Sequence, residues 1–145
     1  MNVSVRTAAA FIFAVLGAMS LAGEAGAHHA FAAEFDANAP VTLKGRITKM
    51  EWINPHSWLH MEVYEPGKPP QNWMVEAGPP NTMLRAGLTR DTIKPGTEVV
   101  VRGFQALSKS CTPACKANGR DVTLADGRKL FLSSSGSGAP PVPAR

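Results

Sequence analysis

Alternation with a period of two is the feature that most constrains this chain. From Val41, the residues Val41, Leu43, Gly45 and Ile47 alternate with Thr42, Lys44, Arg46 and Thr48. This is the pattern of a half-buried strand, whose successive side chains point to opposite faces. The apolar phase then shifts to Met50 and Trp52, which predicts a bulge followed by continuation of the strand. After the turn Asn54-Pro55-His56, a second strand places Leu59, Met61 and Val63 on one face and Trp58, His60, Glu62 and Tyr64 on the other. Pro66, Gly67, Pro69 and Pro70 break the chain before a third strand at residues 72–77, with Trp73, Val75 and Ala77 on one face.

Gly78-Pro79-Pro80-Asn81 ends that strand. Asn81 is expected to cap a short helix at residues 82–86, and Gly87 to stop it. A turn-rich return at residues 91–96 leads to the most β-rich run, residues 98–104. Residues 121–124 and 129–132 then flank the turn signal Asp126-Gly127 as a last hairpin. Three strands, a short helix and two or three more strands predict an all-β domain at residues 41–132. Its expected form is a small Greek-key OB-like barrel of five to six strands, with an open β-sandwich as the alternative.

The flanks read differently. Residues 1–7 carry one positive charge, at Arg6, ahead of an apolar run from Ala8 to Ala22. That run is short of the ~20 residues a helix needs to cross a bilayer. Ala25-x-Ala27 closes it as a small-residue cleavage site, so residues 1–27 read as a signal peptide cut after Ala27. The expected location is the periplasm or the secreted fraction, with no stable membrane insertion after the cut. Residues 28–40 form an alanine-rich lead-in, in which Phe31 and Phe35 at i, i+4 are placed to pin one helical turn before Pro40. This lead-in is expected to dock loosely. The Ser-, Gly- and Pro-rich residues 133–145 read as a disordered tail with nothing to bury.

Of the 145 residues, 15 are Lys or Arg and 11 Asp or Glu, for a net charge of +4. Cleavage removes Arg6 and Glu24 together and leaves that balance unchanged. The charge is mild and scattered, which speaks against nucleic acid as a partner.

The four histidines are His28, His29, His56 and His60. Cleavage after Ala27 makes His28 the first residue, and a free N-terminal histidine offers both its α-amine and a ring nitrogen to one metal. A third nitrogen from another histidine completes a set suited to copper, which nitrogen donors rank highest among the divalent first-row metals. A cut one residue later passes the chelate to His29. A polar linker would carry the same two histidines, and His56 would serve equally well as a ring bonded to the turn backbone. His56 and His60 share a strand face at roughly 13 Å, too far for one ion unless the turn bends His56 back. His56 is therefore the preferred partner of the N-terminus, and His60 a cross-strand neighbour. Met50, Met61 and Met74 offer thioethers suited to copper(I), or fill gaps.

Trp52, Trp58 and Trp73, with His60, form a second candidate, a ligand face on the first three strands. Packing of the same rings against the core is the alternative. Cys111 and Cys115, an even pair in an exported chain, predict a disulfide that staples a loop. A hydrolase lacks its parts: Ser57 beside His56 points to the opposite face, and no G-x-S-x-G elbow is present.

The segment HHAFAAEFD, the turn E-W-x-N-P-H at residues 51–56, the N-W pair at residues 72–73 and the helix segment around residues 80–87 together resemble an uncharacterised family of small exported bacterial proteins, a domain of unknown function. The resemblance spans about residues 28–133. It implies an exported, OB-like barrel without an established activity, and its pattern matches His28, His29 and His56. The chain departs from it in the cysteine loop at residues 109–116, and at Leu88, where an aromatic residue is expected. Two readings follow. One is a non-enzymatic binding module holding copper through His28, with His29 and His56. The other is an interaction module that binds an envelope protein, peptide or glycan on the tryptophan face.

Overall fold

The alternating segments become six strands in the computed structural model, which describes residues 31–132 and 140–142. In chain order they are β1 (Phe35–Glu51), β2 (Ser57–Val63), β3 (Gln71–Ala77), the helix α1 (Pro80–Arg85), β4 (Glu98–Ala106), β5 (Cys115–Leu124) and β6 (Lys129–Phe131). Neighbours run in the order β3-β2-β1-β4-β5-β6, and a parallel β3–β5 pairing joins the strands into a ring. Strands β1 to β5 thus close a Greek-key barrel of OB type, with β6 as a hairpin appendage. Closure sets aside the open sandwich and leaves few exposed edges.

β1 begins at Phe35, earlier than the alternation suggested. Its first part pairs with β4 alone, Phe35 opposite Ala106 and Pro40 opposite Phe104. Proline has no N–H to give a second neighbour, and it is tolerated where the strand has one partner. From Gly45, β1 also pairs with β2, and the register shifts between Ile47 and Lys49. That shift is the bulge expected from the change of apolar phase.

Asn81 does not cap α1. The helix starts earlier, with Pro79 at the N-cap position, no side-chain cap bond, and Pro80 inside the first turn. Proline suits that place because its missing N–H would be unpaired there anyway. Gly87 stops the helix as expected, at φ +86°. Its N–H donates to Leu84 O at 3.1 Å, and the Leu88 N–H to Met83 O at 3.0 Å, the paired closure of a Schellman motif.

The barrel core gathers the inward faces, among them Leu43, Ile47, Leu59, Met61, Val75, Val101 and Val122, and is completed by Met83, Leu88 and Ile93. Asp121, also buried, accepts bonds from Arg102 Nε at 3.0 Å and Nη2 at 2.8 Å, and so pairs its charge across β4 and β5.

A second cluster forms on the outside of the barrel from Phe31, Phe35, Phe104 and Ala106. Residues 31–34 make the expected helical turn, and the Phe31 and Phe35 rings stack with centroids 5.7 Å apart. The lead-in is therefore anchored rather than loosely docked, since both rings are buried. Val142 packs against the same cluster, in a tail expected to bury nothing. Residues 1–30, which hold the expected signal peptide, His28 and His29, and residues 133–139 and 143–145 lie outside the described residues. Among the described residues, no helix is long and apolar enough to cross a membrane.

Candidate functional site

Strand alternation sorts the residues of β2 cleanly. Ser57, Leu59, Met61 and Val63 are buried toward the barrel interior, and Trp58, His60 and Glu62 are half-buried on the outside. In register, Trp58 faces Glu76 on β3, and Glu76 faces Asn118 on β5. The next outer row is His60, Met74 and Lys116.

His56 stands just before β2 and reaches this outer face. Its Nδ1 lies 2.5 Å from Glu76 Oε1, while its side chain stays 54% exposed. The close carboxylate restricts the ring, and a neutral imidazole with its proton on Nδ1 would keep a lone pair on Nε2 for a metal. Asn118 is buried beside Glu76, and its Oδ1 has no hydrogen-bond partner. Ser57 is fully buried on the opposite side of the strand from His56, so the two adjacent residues do not form a nucleophile and base pair.

Burial pushes the Glu76 carboxyl above the usual carboxylate range. His56 pulls it back, the nearby charge of Glu34 raises it further, and Lys116 lowers it. The folded protein therefore holds this proton more tightly than the unfolded chain does. The resulting stabilisation is complete below the ordinary carboxylate pKa and is lost as pH rises through the raised one. Glu76→Gln, neutral at every pH, is expected to raise the melting temperature at pH 7 and to match the native protein at pH 4. Calorimetry at both pH values checks this, and a lower melting temperature at pH 7 would show that the attraction to His56 outweighs the cost of burial.

His60 belongs to a different pair. Its Nε2 lies 3.5 Å from Glu51 Oε1, and Glu51 also holds Lys49. The two histidines thus serve separate carboxylates. Nor do the tryptophans share one face: Trp52 and Trp73 pack against the barrel core, Trp73 in register with the inward Met61, and Trp58 remains outside. Lys116 Nζ sits 5.8 Å from the Trp58 ring centroid, and the Arg90 guanidinium 5.2 Å from that of Trp52. Cys111 and Cys115 are bonded, with Cα atoms 3.8 Å apart, and close the β4–β5 loop. Met61 is buried in the core, away from any surface ion.

Glu76 and Asn118 went unmarked in the sequence because their burial is not local. On β3 alone, Glu76 alternates with inward Val75 and Ala77 and looks like a solvated charge. The parallel pairing with β5 sets it beside the buried Asn118, and the charge of Glu34 in the lead-in acts on it as well. Among the described residues, no group of three or more His, Cys, Asp or Glu side chains is placed to hold a metal ion.

The model of a family of unknown function, DUF6152, matches residues 16–114. No curated protein matches the chain.

Proposed function

We propose that this chain, which belongs to that family of unknown function, is an exported, non-enzymatic copper-binding module. The reading puts copper(II) on the α-amine and ring of His28, adds the Nε2 of His56 as a third nitrogen, and leaves His29 as a further donor. The observation that supports it is the His56–Glu76 pair, a ring oriented by a buried carboxylate with its other edge toward solvent. The lead-in makes the partnership sterically reasonable. Residue 28 is three links from the anchored Phe31, a reach of about 10 Å in extended chain, and Glu34 of the same lead-in already acts on Glu76. Because the α-amine titrates near 7.7–8.0 in model compounds, copper must displace a proton there, and affinity should fall as pH drops below neutrality.

The test begins with protein exported and cut in the cell, its mass confirming His28 as the first residue. Copper(II) is then titrated against a competing chelator. The expected result is one ion per chain, held at least about tenfold more tightly than by a free peptide of residues 28–40, with a loss of about tenfold or more in His56→Ala. An extra residue ahead of His28 should abolish the tight site. Affinity equal to that of the peptide, or unchanged in His56→Ala, sinks the reading. The interaction-module alternative has less support, because Trp52 and Trp73 lean on the core rather than joining Trp58 and His60 outside.

A further inference from the structure

The β4–β5 loop covers a cavity of about 240 Å³, lined by residues that include Met74 of β3, Lys116 of β5 and Ser108, Ser110, Thr112 and Pro113 of the loop. His56 and Glu76 are not part of its wall. The loop is held on both sides. The Cys111–Cys115 bond ties it to the first residue of β5. At its other end, the Leu107 N–H donates to Glu34 O at 2.9 Å, and Lys109 Nζ lies 3.7 Å from Asp36.

The polar groups on this cavity are largely uncommitted. Among the described residues, Ser108 Oγ accepts one long bond from the Ser110 N–H at 3.5 Å, and neither Thr112 Oγ1 nor Ser110 Oγ has a partner. Lys116 makes no ion pair there, and its ammonium is held over the Trp58 ring instead. The wall thus combines three hydroxyls, one cation and the apolar surfaces of Met74 and Pro113, with an aromatic ring beside the cation.

We propose that this cavity binds a single acidic sugar ring, a pyranose bearing a carboxylate. A bare inorganic anion would use Lys116 and leave the apolar wall of Met74 and Pro113 without a role. A neutral sugar would use the hydroxyls and the wall, and would bring nothing to the cation. An acidic pyranose satisfies all of them: the carboxylate meets Lys116, its hydroxyls meet Ser108, Ser110 and Thr112, and its C–H face meets Met74 and Pro113. The size agrees, since the volume falls below the ~300–1,000 Å³ of sites for larger ligands and suits one ring. The disulfide has a part here, because it holds the hydroxyl-bearing loop over the sheet in advance of binding.

The mature protein, with a chelator present so that the fate of the copper reading does not bear on the result, is titrated with sodium glucuronate, glucose and acetate and followed by proton–nitrogen NMR. Glucuronate is expected to shift the Trp58 indole and the Thr112 and Lys116 amides along one saturating curve. Glucose and acetate, each carrying half the chemistry, should bind at least about tenfold more weakly, and Lys116→Gln and Thr112→Val should each weaken glucuronate by at least about fivefold. No saturable shift by 50 mM glucuronate, an equal response to acetate, or an unchanged affinity in Lys116→Gln overturns the proposal.

Discussion

Gly45→Ala is expected to leave little or no folded protein. Gly45 lies in β1 where the strand is paired on both sides, opposite Val63 of β2 and Val99 of β4. A Cβ added there would stand 1.8 Å from Glu62 O, 2.8 Å from Glu62 C and 2.9 Å from Val63 Cα. These are backbone atoms of the neighbouring strand, so no rotamer change relieves the clash. β1 and β2 must separate by more than an ångström, which opens a ladder that is one seam of the closed ring. A domain of this size has a total stability on the order of 5–15 kcal/mol, and losing one seam consumes most of it. Gly67 gives the contrast: its φ of +77° penalises a side chain, but nothing lies within 4 Å of the added atom. Gly67→Ala should cost about 1 kcal/mol, a drop of several degrees. Thermal melts followed by circular dichroism compare the two, and a Gly45→Ala melting temperature within about 5 °C of the native value would contradict the account.

Gly45 also shows how far the pattern could be read. Its place in the alternation marked an inward position of a strand, and that is where it lies. What alternation does not encode is how closely another strand passes, which depends on the bend of β1 within the ring. The β3–β5 pairing is of the same kind. It joins residues some forty positions apart, and no local period announces a parallel partner. The strands, the bulge, the Gly87 stop and the disulfide were legible because each is decided by neighbours in sequence. The start of β1 was hidden by Pro40, a residue that argues against a strand until the second neighbour is known to be missing. In the candidate site, His56 was legible from its turn and spacing, whereas its carboxylate partner was not, because Glu76 has the distant strand β5 alongside it only once the barrel closes. Trp73 was grouped with Trp58 by type, although its own alternation with Val75 and Ala77 already assigned it to the inward face.

Phe104→Ala is expected to combine a large loss of stability with release of the lead-in. Phe104 is 1% exposed, yet it lies in the outer cluster rather than in the main barrel core. Its ring meets Phe31 edge to face with centroids 5.7 Å apart, and Phe31 in turn stacks on Phe35. Truncation removes the ring on which the other two rest, at a cost of about 3–5 kcal/mol, enough to lower the melting temperature by roughly 15 °C or more. Ile93→Ala supplies a control, since Ile93 is equally buried but belongs to the barrel core, and it should cost about 2–5 kcal/mol. The two variants differ in what else changes. With Phe104 gone, the chain ahead of β1 loses its anchor, so limited proteolysis well below the melting temperature should cut near residues 31–35 much faster than in Ile93→Ala. If the copper reading holds, Phe104→Ala should also drift toward the affinity of the free peptide, because the N-terminal chelate is no longer tethered beside His56, while Ile93→Ala should keep the native affinity. Equal proteolysis rates in the two variants would show that the aromatic cluster is not what holds the lead-in, whatever copper does. Rapid proteolysis with native copper affinity would instead separate the anchor from the site and leave His56 without its proposed partner.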